Sequence, residues 1–140
     1  MSAQLAAALA AEEAAIYAYG VLGVKLTGDD NRDEARAAEA AHRGRRDVLV
    51  SRLSALKAST APTPAGYTLP FEVTDRASAL KLAIHVEDGV AQAWRAVLPV
   101  TTGADRDTGL NALIDAAVRA TRWRRLGEVT PATMAWPGRA

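Results

Sequence analysis

Four side chains have types and spacings that suit metal binding or acid–base chemistry. Glu39 and His42 form an E-x-x-H pair, and because residues three apart share one face of a helix, both side chains can reach the same ion. Glu12 and Glu87 fall on faces of two other helical segments that should be apolar. Di-iron and di-manganese bundle proteins use one E-x-x-H pair from each of two helices and one glutamate from each of the other two. The candidate metal ligands are Glu12, Glu39, His42 and Glu87.

The fourth helical segment lacks the second E-x-x-H pair. At the matching height it presents Ala116, Ala117 and Ala120, and Asp115 is the nearest acidic group. A complete di-metal centre is therefore not expected, and the simplest expectation is a protein without a cofactor. The alternative is a mononuclear iron or manganese site built from the four candidate ligands.

A metal is not the only partner that can satisfy these carboxylates. Arg46 lies one turn beyond His42 on the same face, and Arg119 lies near the expected height in the fourth segment. An isolated buried carboxylate is costly, and a guanidinium can satisfy it with paired hydrogen bonds. We therefore favour a network of carboxylates, histidine and arginine, with Arg46 as the core charge partner. A third interpretation places these residues on the solvent side of their helices.

Helices must position these side chains, and the sequence predicts four of them. Apolar residues recur at alternating steps of three and four, with glycine and proline at the breaks. The predicted helices cover about residues 2–27, 30–58, 75–98 and 106–126 of a single domain, residues 1–140. On this pattern Glu12, His42 and Glu87 share one height near the middle of the bundle. The expected core positions of the fourth helix are Leu110, Leu113, Ala117, Ala120 and Trp123.

The segment 59–74 contains three prolines and a glycine, and it is predicted to be extended. At about 3.3 Å per residue it spans roughly 50 Å, which exceeds the roughly 42 Å length of a 28-residue helix. It can therefore cross from one end of the bundle to the other. The prediction is an all-α, ferritin-like four-helix bundle with up-down-down-up order and a long crossover between helices 2 and 3. Residues 127–140 are predicted to form an irregular tail.

The composition argues against several classes of protein. Cysteine is absent, which excludes disulfides and thiolate metal sites. The formal net charge is +1, whereas dedicated nucleic-acid binders usually carry a strong basic excess. The alanine-rich N-terminal run lacks a basic start and is interrupted by Glu12 and Glu13, which argues against a signal peptide or a membrane span. We expect a cytoplasmic protein that binds neither nucleic acid nor a membrane.

Five segments of the sequence resemble an uncharacterised actinobacterial ferritin-like family. They are AAEEAAIYAYGVLG, EAAHRGRRD, LPFEVTD, HVEDGVAQAW and AWPG, in this order over nearly the whole chain. The resemblance implies a ferritin-like bundle with a long crossover and no established activity. It also implies that Glu12, His42, Arg46 and Glu87 are polar core positions. Glu13 stands where a histidine would be expected after the glutamate.

The favoured function is therefore a structural or interaction module that has lost the di-metal centre, and we do not expect an enzyme. The alternative is a metal-binding, oxidoreductase-type protein that uses the partial carboxylate and histidine site. Ferritin-like bundles often associate through helices 1 and 2, and Gly20 and Gly23 favour close approach of helices. The expected partner is therefore a second copy of the chain, bound through helices 1 and 2.

Overall fold

The computed structural model describes all residues, Met1–Ala140, and contains helices but no strand. The four α-helices are α1 (Ser2–Leu22), α2 (Asp29–Ala55), α3 (Arg76–Val97) and α4 (Gly103–Leu126). Short 3-10 turns at Gly23–Lys25 and Leu98–Val100 follow α1 and α3. The predicted all-α class is confirmed.

Three helix ends differ from their predicted positions. Helix α1 ends at Leu22 and continues only as a 3-10 turn. Helix α2 ends at Ala55 because Lys57 adopts a φ of 52°, a left-handed conformation that stops the helical path. Helix α4 begins at Gly103, three residues earlier than predicted, since Thr102 is the extended N-cap residue.

Helices α1 and α3 lie side by side and run in opposite directions. Glu12 on α1 is bonded to Trp94 on α3, and Tyr19 on α1 is bonded to Glu87 on α3. Residue numbers therefore increase along α1 in the direction in which they decrease along α3. Residues seven apart on α1 meet residues seven apart on α3.

Helices α2 and α4 are joined by longer, charged side chains. Arg45 bonds to Asp115 at 3.2 Å, and Arg52 makes two bonds of 2.8 Å to Asp105. These contacts also run in opposite order along the two helices, so α2 and α4 are antiparallel. Their contact depends on arginine side chains because these span a wider gap than alanine or leucine can.

Residues 56–75 connect α2 to α3 and lie along the bundle. Thr63 donates a hydrogen bond of 2.7 Å to Glu13 on α1, and farther on Phe71 packs its ring edge against His85 on α3. The connection therefore passes along both helices before α3 begins. The start of α3 is fixed by the N-cap residue Asp75, which forms a reciprocal capping box with Ser78.

The buried core divides into two apolar clusters. The first comprises Leu5, Ala8, Leu9, Ala15, Leu49, Leu53, Val90, Ala91, Trp94, Val97, Ala112 and Ala116. The second comprises Ala18, Tyr19, Leu22, Leu26, Ala35, Ala38, Ala79, Leu80, Leu82, Ala83 and Trp123. Glu12, His42 and Glu87 belong to neither cluster, although they are buried. These three residues, which we name the polar layer, bond to Trp94 of the first cluster and Tyr19 of the second.

The predicted core positions of α4 were one residue out from Leu110 to Ala117, whereas Ala120 and Trp123 are buried as predicted. In the first part of the helix the buried residues are instead Gly109, Ala112 and Ala116. Leu110 is 45% exposed, and Gly109 is buried in its place. A Cβ atom at Gly109 would lie 3.2 Å from Leu98 and 3.3 Å from Val97. Because α3 approaches so closely, α4 is rotated to present its smallest residue at this point, and larger side chains face outward.

Helix α1 and its 3-10 turn, Ser2–Lys25, are long and apolar enough to cross a membrane by length and composition alone. Core helices of soluble proteins meet the same criterion, and 44% of the most apolar window of this segment is buried inside the chain. The segment also carries Glu12, whose side chain is fully buried against the other helices.

Candidate functional site

The polar layer is centred on His42, whose two ring nitrogens contact two different carboxylates. Nδ1 lies 2.5 Å from Oε2 of Glu12, and Nε2 lies 2.9 Å from Oε1 of Glu87. The three side chains come from α2, α1 and α3, and at most 1% of each is exposed. A single imidazole therefore joins three helices in the interior of the bundle.

The two carboxylates also accept hydrogen bonds from aromatic side chains and an arginine. The indole Nε1 of Trp94 donates to Oε1 of Glu12 at 2.6 Å, and the hydroxyl of Tyr19 donates to Oε1 of Glu87 at 2.6 Å. Arg119 on α4 lies 3.4 Å from both oxygens of Glu87. All four helices therefore contribute to the network around the polar layer.

Tyr19 connects the polar layer to a second tryptophan. The indole of Trp123 donates to the Tyr19 hydroxyl oxygen at 2.8 Å, and this hydroxyl donates its own proton to Glu87. The Tyr19 ring also stacks on the His42 ring, with centroids 5.5 Å apart. The Tyr19 hydroxyl thus both donates and accepts a hydrogen bond. The Tyr19 ring holds the His42 ring in place from one side.

The charges of the network favour a proton on His42. Burial by itself lowers the pKa of this imidazole, but its hydrogen bonds to Glu12 and Glu87 outweigh burial and raise the pKa from 6.5 to about 9. At neutral pH His42 is therefore an imidazolium that donates from both nitrogens. Two cations, His42 and Arg119, then face two carboxylates, so the buried charges balance.

Tyr19 keeps its phenolic proton at neutral pH. Burial, followed by the charge of Glu87 and the hydrogen bond to it, raises the pKa of Tyr19 well above its usual range. The neutral phenol therefore shares its proton with Glu87 in a hydrogen bond and does not transfer it.

Arg119 connects the buried network to the surface. Burial lowers the pKa of its guanidinium, but Glu87 and Asp115 more than compensate and raise it. Asp115 in turn binds Arg119 at 2.9 Å and Arg45 at 3.2 Å. Burial raises the pKa of Asp115, yet these two arginines lower it overall. The α4 side of the network is thus a chain of alternating charges that passes through the partly exposed Asp115 and ends at Arg45 on α2.

Three of the four candidate ligands meet in the structure, and one does not. Glu12, His42 and Glu87 form the polar layer, whereas Glu39 lies near the surface and is paired with Arg43 at 2.9 Å. Glu39 is three residues from His42, but their side chains do not converge. The E-x-x-H spacing therefore did not identify a shared site here.

The prediction that Arg46 is the charge partner in the core was also wrong. Its side chain is 31% exposed and pairs with the neighbouring Asp47 at 2.9 Å. The rotation of α2 that buries His42 and Leu49 directs Arg45 towards α4 and leaves Arg46 at the edge of the helix. The arginine that reaches the carboxylates is Arg119, the other candidate from the sequence.

The hydrogen-bond donors Trp94, Tyr19 and Trp123 were not among the candidate site residues, and Trp123 was expected only as a core residue. A signal for two of them is present in the sequence. Glu12 and Tyr19 are seven residues apart, and so are Glu87 and Trp94. If two antiparallel helices carry acid and donor at the same seven-residue spacing, each acid faces a donor.

In their present arrangement, the nitrogen and oxygen atoms of the polar layer do not form a site for a metal ion. Both nitrogens of His42 are occupied by carboxylates, and the carboxylates also accept bonds from Trp94, Tyr19 and Arg119. A metal-bound histidine must supply a neutral nitrogen lone pair, whereas this one is protonated at neutral pH. A metal would have to displace a proton and at least one internal hydrogen bond.

The profile of the Domain of unknown function (DUF4439) matches residues 4–140. The chain belongs to this family. A solved structure, that of a conserved hypothetical protein from Mycobacterium tuberculosis, is 40% identical and superposes with a TM-score of 0.83 over 89% of this chain and 94% of that one. No curated protein matches the chain. Membership of DUF4439 confirms the predicted assignment to an uncharacterised family.

Proposed function

We propose that this DUF4439 chain is a ferritin-like bundle in which a proton-bearing ionic network takes the place of a di-metal centre. Its role is that of a structural and interaction module and not that of an oxidase or an iron store. The observation that carries the proposal is the position of His42 between the two buried carboxylates, with each of its nitrogens engaged.

The order of the helices supports the ferritin-like topology. Helix α1 is antiparallel to both α2, which follows it after a short turn, and α3, so α2 and α3 point the same way. Two parallel consecutive helices require a connection as long as the bundle, and residues 56–75 supply one. This arrangement supports the proposed up-down-down-up order with a long crossover.

The completeness of the hydrogen bonding supports a role without a metal. Neither the carboxylates nor the imidazole of the polar layer has a buried polar atom without a partner; the orphaned side-chain atoms of the chain are Oε1 of Gln4 and the Tyr67 hydroxyl. Fully satisfied buried networks fix the relative positions of the elements that they join. The network thus sets the register of the four helices and keeps the outer faces of the bundle in a defined arrangement for a partner.

The alternative is a metal-binding, oxidoreductase-type function, and one observation favours it. Carboxylates from α1 and α3 meet a histidine from α2 within hydrogen-bond distance, which is a donor set that iron and manganese accept. For this function His42 would have to lose its proton and Glu39 would have to leave Arg43.

Metal content measured on two matched histidine variants tests the proposal. The chain has two histidines, His42 in the core and His85 on the surface. Protein purified without chelator, and protein loaded with Fe(II) or Mn(II) and desalted, should contain no stoichiometric metal by elemental analysis in the wild type or in His85→Ala. Stoichiometric metal that persists in His85→Ala but is absent from His42→Ala would overturn the proposal in favour of the alternative.

Thermodynamic stability supplies a second and independent measurement. His42→Ala removes the cation between two buried carboxylates, so it should lower the free energy of unfolding of metal-free protein by several kcal/mol. His85→Ala should change it by about 0.5 kcal/mol or less. Equal stabilities of the two metal-free variants would contradict a structural role for the network.

A further inference from the structure

The outer face of α4 carries three large aliphatic side chains that nothing in the chain covers. Leu110, Ile114 and Val118 are 45%, 52% and 45% exposed. Their four-residue spacing aligns them along one face of the helix, opposite the buried row that includes Ala112 and Ala116. We call these three residues the α4 stripe. Single exposed aliphatic residues are ordinary, but a continuous row of them on a soluble helix marks an interaction surface.

The two ends of the α4 stripe carry opposite charges. Asp107 lies one turn before Leu110, and Arg125 lies two turns beyond Val118 on the same side of the helix. Both side chains are exposed, and the ion pairs of the chain engage neither of them. The stripe is therefore apolar in its middle, acidic at one end and basic at the other.

We propose that the α4 stripe binds the α4 stripe of a second copy of the chain in antiparallel orientation. A two-fold axis that passes α4 near residue 116 places Asp107 opposite Arg125 of the second copy, and the symmetry repeats this contact. The same axis places Ile114 opposite Val118. A parallel arrangement would instead oppose Arg125 to Arg125. Charge complementarity thus selects a second copy and also its orientation.

The helices 1 and 2 that were expected to form the interface offer a less continuous apolar surface. On α2, Val48 and Val50 are 53% and 50% exposed, but residues two apart point to different sides of a helix. On α1, a Cβ atom at Gly20 would meet nothing within 4 Å, and the open space beside it separates two single exposed side chains, Tyr17 at 36% and Val24 of the 3-10 turn at 74%. The α4 stripe alone combines aligned aliphatic side chains with complementary ends.

The inference rests on the proposed interaction role and identifies its partner as a second copy of the chain. Ile114 and Val48 provide a matched pair of variants because their exposures, 52% and 53%, are nearly equal. Sedimentation velocity of the full chain over a concentration series should show a monomer–dimer equilibrium. Ile114→Asp should raise the dissociation constant at least tenfold, and Val48→Asp should change it by less than about twofold.

A charge exchange tests the antiparallel orientation. Arg125→Asp should weaken the dimer several-fold by opposing Asp107 with a second acid, and the double variant Asp107→Arg/Arg125→Asp should restore it. Circular dichroism should be unchanged in all variants because the substituted side chains are exposed.

Three outcomes would overturn the inference: a monomer at every concentration, a dimer that Val48→Asp disrupts while Ile114→Asp does not, or a charge exchange that fails to restore association. None of these outcomes affects the proposal of a metal-free network, which is tested by metal content and by the stability of the histidine variants. The failure of one proposal is therefore distinguishable from the failure of the other.

Discussion

Two charge contacts between helices have similar donor–acceptor distances and very different surroundings. Glu12 and His42 meet at 2.5 Å with 0% and 1% of their side chains exposed, whereas Arg52 and Asp105 meet at 2.8 Å with 40% and 21% exposed. Water already stabilises the charges of the second pair, so the contact adds little to folding. In the first pair each charge depends on its protein partners, so the loss of one leaves the other uncompensated. Burial, and not contact distance, decides how much a charge pair matters.

The largest effect is expected where a buried charge loses its partner. Glu87→Gln keeps the shape of the side chain but removes the anion that faces His42, Arg119 and the Tyr19 hydroxyl. It should lower the free energy of unfolding at pH 7 by about 3–5 kcal/mol, measured by urea denaturation. Glu39→Gln, near the surface, should cost less than about 1 kcal/mol. Similar losses in the two variants would remove the distinction between buried and exposed charges.

The pH dependence of stability isolates the proton on His42. The folded chain holds this proton up to about pH 9, whereas the unfolded chain releases it near 6.5. Its contribution is therefore fully present below pH 6.5 and is lost as the pH rises through about 9, by about 3 kcal/mol in the free energy of unfolding. In His42→Gln this loss between pH 6.5 and 9 should disappear, whereas Leu53→Ala in the first apolar cluster should keep it. The prediction fails if His42→Gln and wild type decline in parallel.

A smaller loss of stability is expected when a buried hydrogen bond is removed, and the loss should be larger for a charged acceptor than for a neutral one. Both Trp94 and Trp123 are fully buried, but the indole of Trp94 donates to the carboxylate of Glu12 and that of Trp123 to the hydroxyl oxygen of Tyr19. Both substitutions change the packing in a similar way. In addition, the lost hydrogen bond should lower the free energy of unfolding by about 1.5–3 kcal/mol in Trp94→Phe and by about 0.5–1.5 kcal/mol in Trp123→Phe. Thermal or urea unfolding measures the difference, and a larger loss in Trp123→Phe would be the contrary result.

The smallest effect is expected at the surface pair. Asp105→Asn should lower the free energy of unfolding by at most about 1 kcal/mol. The difference from wild type should shrink in 1 M salt because exposed charges are screened, whereas the loss in Glu87→Gln should persist. A salt-independent loss as large as that of Glu87→Gln would show that the α2–α4 contact is energetically equivalent to a buried one.

Local sequence patterns predicted the helices well and their exact ends less well. The alternating steps of three and four marked all four helices, since this periodicity reflects which face of each helix is buried. The end of α2 could not be placed because it depends on Lys57 adopting a left-handed conformation, which residues other than glycine rarely do. The start of α4 differed by three residues for another reason, since Thr102 and not a later residue takes the ordinary extended conformation of an N-cap.

The candidate site was predicted in its main part and wrong in its periphery. Glu12, His42 and Glu87 could be identified because a charged residue on an apolar face requires a partner. Glu39 lies three residues before His42 and Arg46 lies four residues after it. Helical spacing alone therefore placed both on the same face of α2 as His42. Whether such flanking residues turn inward depends on a rotation of α2 by a few tens of degrees, which the sequence does not specify.

The sequence alone determined that charged residues from three helices would be buried at one height, because helical periodicity and helix length are local properties of the chain. Only the tertiary structure decided which groups satisfy them. The close approach of α3 and α4 at Gly109 set the rotation of α4, and with that rotation Arg119 reaches Glu87 while Leu110 faces outward. The partners of a buried charge are set by how neighbouring helices pack, since a hydrogen bond tolerates only a few tenths of an ångström and no local pattern carries that precision.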